Sequence, residues 1–272
     1  MPDQRPSGVA FHRVSAGYGG VTVLRDLSWT VERGALVGVV GPSGAGKTTL
    51  VRLLTGQADR HHGRVTVFGD EVGAGGARRI GYVPQLGAVD WDFPLTVGQA
   101  VLLGRTPDSR RVPWFSRRER ARAGALLERL GLAGFERRHI RDLSGGQQQR
   151  MFLARAMIRD CDVLLLDEPT SGVDLATRHD ILHLLADLWH DGLTIIVTTH
   201  DLNWVAAQLP RIALLNGTIV ADGTPREVLT PDLVERTYGA RMRVIHDGNQ
   251  VLVTDDHAVL GPRRLAHRGA VA

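Results

Sequence analysis

Apolar and polar positions alternate through residues 9–31, interrupted by Gly17, Gly19 and Gly20. This period of two predicts a small antiparallel sheet near the N-terminal end. The pattern then changes. Residues 35–40, 163–166 and 193–198 are short, almost wholly apolar runs, as expected of parallel strands covered on both faces. Residues 63–68 and 80–83 read as two further strands. Helical segments carry their own start signals: Thr96 before a short helix, the capping box Ser116-Arg-Arg-Glu119, and Ser144 with Gln147 ahead of the run 148–160. Residues 242–254 alternate again around Asp247-Gly248 and predict a hairpin. The last dozen residues, with Arg263, Arg264 and Arg268, lack any such pattern and are expected to be disordered.

Composition narrows this picture in three ways. The chain has 272 residues, enough for a core that needs no staples, and its single cysteine, Cys161, rules out an internal disulfide and suits a reducing compartment. The formal net charge of +4 is dispersed, which describes a solvated, arginine-rich surface and no nucleic-acid partner. No apolar segment follows Met1, so no signal peptide is expected. The apolar runs fall far short of the roughly 20 residues that cross a bilayer, so a membrane role would come through a partner chain.

The stretch from Val37 to Leu50 carries the strongest chemistry. A buried strand breaks into Gly41-Pro42-Ser43-Gly44-Ala45-Gly46-Lys47-Thr48-Thr49 and then a helix, the G-x-x-x-x-G-K-T pattern of the phosphate-binding P-loop. Its glycines let successive N–H groups surround a phosphate chain, and the helix adds its positive dipole end. Lys47 is placed to neutralise the β- and γ-phosphates and Thr48 to ligate Mg²⁺. Lys47 is also the only lysine in the chain. A compact ammonium fits between phosphate oxygens where a planar guanidinium does not.

Other residues gather meaning from that loop. Asp167 ends an apolar strand and can hold the same Mg²⁺, while Glu168, one residue on, can orient or deprotonate a water. Leu143-Ser144-Gly145-Gly146-Gln147 is either a well-capped helix start or a second phosphate site, and the latter implies a second copy of the chain. Asp174 reads as a helix N-cap. His200 arrives at the carboxyl edge of the sheet and either contacts a γ-phosphate or is structural. Gln85 also ends a strand there. Tyr18 either stacks on an adenine or packs on the sheet edge. Trp91 and Phe93, then Trp114 and Phe115 among arginines, mark loops that either dock a partner or pack locally. His246, Asp255, Asp256 and His257 near the hairpin read as solvated charges in preference to a metal-sensing cluster.

Taken in order, Tyr18, Gly41 to Thr48, Gln85, Leu143 to Gln147, Asp167-Glu168, Ser171 to Asp174 and His200 resemble the nucleotide-binding subunit of ABC transporters. The resemblance implies an α/β fold: a P-loop NTPase core with a mostly parallel sheet, an N-terminal antiparallel β subdomain and an inserted helical subdomain. It implies an ATPase domain over 7–239, with the helical subdomain at about 86–160, and a C-terminal hairpin and tail over 240–272. It also implies a head-to-tail homodimer with two Mg-ATP, each between one P-loop and the other copy's Ser144 loop. Glu168 becomes the catalytic carboxylate, Gln85 the coupling glutamine near Mg²⁺, His200 the switch histidine and Tyr18 the adenine-stacking ring.

Within the family, residues 89–97 and 230–239 are similar to those of the ATPases of manganese and zinc importers. That similarity implies separate transmembrane permease subunits, an extracytoplasmic solute-binding protein acting indirectly, and a peripheral place on the cytoplasmic face of the membrane. The alternatives are the ATPase of a siderophore or haem importer and a non-transport ABC ATPase.

Overall fold

Two sheets, one antiparallel and one mostly parallel, share an apolar layer in the computed structural model, which describes residues 7–73, 79–105, 115–248 and 250–255. In chain order, β1 (Ser7–Tyr18) and β2 (Val21–Glu32) pair antiparallel, and β3 (Leu36–Val40) runs into α1 (Lys47–Leu54). β4 (Asp59–Val67) returns beside β1 with the short β5 (Asp70–Glu71) on its edge. β6 (Ile80–Val83) leads to α2 (Val97–Leu102), α3 (Arg117–Arg129) and α4 (Gly145–Met157), which pack on one another. Then come β7 (Val163–Asp167), α5 (Leu175–His190), β8 (Thr194–Thr199), α6 (Leu202–Gln208) and β9 (Arg211–Leu215). The edge strand β10 (Ile219–Gly223), the short helices α7 (Pro225–Val228) and α8 (Pro231–Tyr238), and a hairpin of β11 (Met242–Asp247) and β12 (Gln250–Asp255) complete the described chain.

The larger sheet has the order β10-β9-β3-β8-β7-β6, parallel throughout except for β10. The smaller has the order β2-β1-β4-β5. This is the expected α/β class, and the apolar runs explain it. Successive side chains of a strand point to opposite faces. Val37 and Val39 of β3, Val163 and Leu165 of β7 and Ile196 of β8 pack with α1 and the antiparallel sheet. Leu36, Val40, Leu164, Leu166, Ile195 and Val197 pack with α4, α5 and α6 on the other side. At about 1.5–3 kcal/mol per fully buried aliphatic side chain, these layers far outweigh exposed ion pairs such as Arg13–Asp26, worth about 1 kcal/mol at most.

Several expectations shift in detail. β4 begins at Asp59, four residues before Gly63, because Gly63 is a bulge inside the strand. There φ is +81°, and a Cβ would stand 2.3 Å from the Arg13 carbonyl oxygen, so only glycine fits. α4 begins at Gly145 directly after Ser144, so both glycines lie in its first turn and the helix starts three residues before Gln148. Trp91 is not freely exposed: its indole packs edge-on against Phe152 and donates to the Leu86 carbonyl, while Phe93 is exposed. Phe115 lies under the Arg105 guanidinium, and Trp114 is outside the described residues. The hairpin forms in the expected register, and Val251 and Val253 are buried in the same core as the helices. The tail from 256 onward, including Asp256 and His257, is outside the described residues; among the described residues no group of His, Cys, Asp and Glu could hold a metal. No helix among the described residues is long and apolar enough to cross a membrane.

Candidate functional site

Strand register brings distant residues to one edge. Val40 pairs with Thr199, Thr198 with Asp167, and Val83 with Leu166, so β3, β8, β7 and β6 end together. The segments that follow them hold the glycine-rich loop, His200, Glu168 and Gln85 respectively. Ligands of open α/β sheets sit at this carboxyl edge. A cavity of about 590 Å³ opens here, lined by Val23, residues 43–49, Glu168 and His200, within the range that holds a nucleotide-sized ligand.

The loop geometry depends on glycine. A Cβ on Gly41 would stand 2.0 Å from the Leu215 carbonyl oxygen. Gly46, the N-cap of α1, has φ +101°, and a Cβ there would lie 2.6 Å from Leu24 Cδ2. Both positions therefore exclude side chains, and the loop stays close to β2 and β9. Lys47 Nζ donates to the carbonyls of Gly41 (2.7 Å) and Pro42 (3.0 Å). Half-burial lowers the pKa of its ammonium, partly opposed by the charges of Glu168 and Asp167.

Asp167 is buried at the tip of β7 and accepts a hydrogen bond from the Thr198 hydroxyl at 2.5 Å. Burial pushes its carboxyl up from the usual range; Thr198 opposes this, Glu168 adds to it, and Arg52 and Lys47 lower it. Glu168 has φ +48°, a left-handed conformation unusual for a residue with a side chain, costing about 1–2 kcal/mol. This turn aims its carboxylate away from Asp167 and between two partners. Gln85 Nε2 donates to Oε2 at 3.3 Å, and His200 Nδ1 lies 3.1 Å from Oε1. An ionised carboxylate can only accept, so the facing Nδ1 carries the proton when Glu168 is charged.

The other expected residues lie apart from this cavity. Ser144 caps α4, its hydroxyl accepting from the Gln147 N–H while the Gln147 side chain accepts from the Ser144 N–H. Gly145 and Gly146 face Val173 and Thr177 at the start of α5, where Asp174 is the N-cap. The Ser144 loop does not line the P-loop cavity of its own chain. Tyr18 ends β1 with its hydroxyl buried and its ring 5.8 Å from the Arg52 guanidinium; the cavity wall beside Gly46 is Val23 instead. Sequence reading missed Val23, Thr198 and Arg52. Thr198 alone left a trace, as one of the threonines in an otherwise apolar strand, two places before His200.

A glycine-sculpted loop with one lysine, opening an α/β sheet edge that ends in two carboxylates, defines a nucleotide-binding ATPase of the P-loop class. The ABC transporter family model matches residues 24–171. The chain belongs to the ABC transporter family, as an ATP-binding subunit that hydrolyses ATP. It is 42% identical over 220 residues to the zinc transport system ATP-binding protein TroB of Treponema pallidum, covering 81% of this chain and 82% of that one. To the manganese transport system ATP-binding protein MntB of Bacillus subtilis it is 39% identical over 242 residues, covering 88% and 95%. Among solved structures it is similar to a chain of an inward-facing transporter described as a metal-chelate type ABC transporter. There the TM-score is 0.76 and the identity 28%, over 91% of this chain and 96% of that one.

Proposed function

We propose that this chain is the ATPase of an importer for a divalent metal ion, manganese or zinc, and that it powers separate transmembrane permease subunits from the cytoplasmic face of the membrane. The observation that carries the ATPase half is Glu168 held between Gln85 and His200 beside the P-loop. The metal half is supported by relatives that are named for zinc and manganese transport and match over four-fifths or more of both chains. Among the described residues no group of His, Cys, Asp and Glu could hold a transported metal. A solute-binding protein outside the membrane delivers the ion to the permease.

In this reading the chain works as a head-to-tail homodimer around two ATP molecules. Residues 41–49 wrap the phosphates, Val23 lies toward the base, and Ser144 to Gln147 of the second copy close the site. The outward position of the Ser144 loop supports that arrangement. Residues 7–239 form the ATPase domain, with 86–160 as its helical subdomain and 240–272 as an appended hairpin and tail.

The site suits Mg²⁺. The Thr48 hydroxyl, Asp167 carboxylate and Gln85 amide are hard oxygen donors, and Asp167 is a buried carboxyl only partly compensated by Lys47 and Arg52. Bound there, the ion would neutralise phosphate charge. The chain's own residues do the rest. Lys47 exchanges its carbonyl contacts for phosphate oxygens, Glu168 accepts a proton from the attacking water, and His200 and Gln85 fix the carboxylate that does so.

The test is the metal content of cells lacking this chain, with the parent or Lys47→Ala restored, under manganese and then zinc limitation. A deficit in one metal that the parent corrects and Lys47→Ala does not is the expected result. Unchanged manganese and zinc overturn the metal-ion reading and favour a chelate such as a siderophore or haem, the second reading that the metal-chelate type neighbour supports.

A further inference from the structure

β11 and β12 make a sheet of two strands. The outer edge of β12 is satisfied at Val253. The Asn203 side chain donates from Nδ2 to the Val253 carbonyl (3.0 Å) and accepts the Val253 N–H at Oδ1 (2.8 Å), standing in for a neighbouring strand. This clamp also reveals the direction of the backbone groups. Opposed residues in an antiparallel pair alternate between hydrogen-bonded and non-hydrogen-bonded pairs. Because Val253 turns both its groups toward Asn203, Val244↔Val253 is a non-hydrogen-bonded pair, and so is His246↔Val251 two places along. Val244 and His246 therefore direct their N–H and C=O groups away from β12, onto the outer edge of β11, which α8 borders at the start of the strand across a groove between Pro231, Asp232, Glu235 and residues 241–244.

The side chains on the outer face match that edge. Ile245 and Leu252 oppose each other opposite the buried Val251 and Val253, and they are 40% and 47% exposed. Arg243 and Asp247, both exposed, flank Ile245 two residues to either side on the same face. A strand that reads positive, apolar, negative is complementary to itself when turned end for end.

We infer that β11 pairs antiparallel with β11 of a second copy, about a two-fold axis at Ile245. In this register Val244 and His246 exchange backbone hydrogen bonds with His246 and Val244 of the second copy. Ile245 meets its own counterpart in a non-hydrogen-bonded pair, and each Arg243 faces the other copy's Asp247. A single strand edge is a small contact beside the roughly 800 Å² per partner of a standard interface, so on its own the pairing is weak and transient, and a covalent trap is needed to capture it. Asn203 lies on α6, which starts two residues after His200, so the joined hairpins tie each His200 loop to the opposite subunit. This contact is separate from the nucleotide-mediated one, and either can fail without the other.

The test uses the full chain, without nucleotide, carrying Cys161→Ser and Ile245→Cys, oxidised with copper–phenanthroline. Opposed residues of a non-hydrogen-bonded pair come within about 4.5–5.5 Å, inside disulfide reach. A covalent dimer is expected to form at least about tenfold faster than from Leu252→Cys, whose counterpart lies three strand spacings away, about 14 Å. Adding Asp247→Arg slows the reaction at least about fivefold, and adding Arg243→Asp as well restores it. Equal rates at positions 245 and 252, or indifference to the charge reversals, overturn the proposal. Melting temperatures of the same variants check that these exposed substitutions leave the chain folded.

Discussion

Glu168 and His200 meet across the carboxyl edge of the sheet, Nδ1 3.1 Å from Oε1, although 32 residues separate them in sequence. The contact exists because β7 and β8 are parallel neighbours in a register that pairs Asp167 with Thr198. Glu168 is mostly covered and His200 mostly exposed, so the carboxylate is held from the protein side while the imidazole faces the cavity.

Glu168→Gln keeps the shape and the left-handed backbone of this position but removes the proton acceptor. ATP turnover should fall at least about 100-fold while ATP binding persists, trapping a dimer. Phosphate release and size-exclusion chromatography with ATP measure the two parts. Turnover close to that of the parent would remove Glu168 from the role of base.

Gln85 and His200 hold the same carboxylate from two sides, so their effects should not multiply. Gln85→Ala and His200→Ala should each lower turnover by about 10- to 100-fold, and the double variant by clearly less than the product. A full double-mutant cycle on turnover reads the coupling. Strict multiplicativity would mean that the two residues act on different things.

Asp167 is a buried carboxyl whose ionisation costs the fold stability. Unfolded, it ionises near pH 3.9. In the folded chain burial moves that ionisation higher, so between the two values the native state holds more protons and stability falls as pH rises, remaining lowered above. Asp167→Asn keeps an acceptor for Thr198 without the charge. It should raise the nucleotide-free melting temperature at pH 7 by a few degrees, a gain that disappears below about pH 4, while Mg-dependent turnover is lost. A melting temperature at pH 7 equal to or below that of the parent contradicts this account.

Burial pushes the Cys161 thiol up to about 11. The thiolate is the reactive form, so a thiol reagent at pH 8 should modify native protein at least about 100-fold more slowly than protein in denaturant. Absorbance of the released thiol chromophore gives both rates. Fast modification of the native chain would mean that the Asp160–Asp162 turn opens readily.

Much of the outcome was legible in residue order. Two-sided burial requires continuous apolar strands, so residues 35–40 and 163–166 announced a parallel sheet. The glycine, lysine and threonine spacing announced the phosphate loop because that backbone path admits few other residues. Cap residues marked α2, α3 and α4 because their hydrogen bonds are local. Tertiary structure alone decided what depends on register and packing. Glu168 turns toward His200 and Gln85, away from its neighbour Asp167, only because three strands end level. Trp91 is covered only because Phe152 of α4 reaches it, and Val23 walls the cavity only because β2 passes behind Gly46. Asn203 caps Val253 of β12 by a contact spanning 50 residues. Local pattern reports what each segment can form; which partner satisfies each remaining polar group is settled only when segments distant in sequence meet.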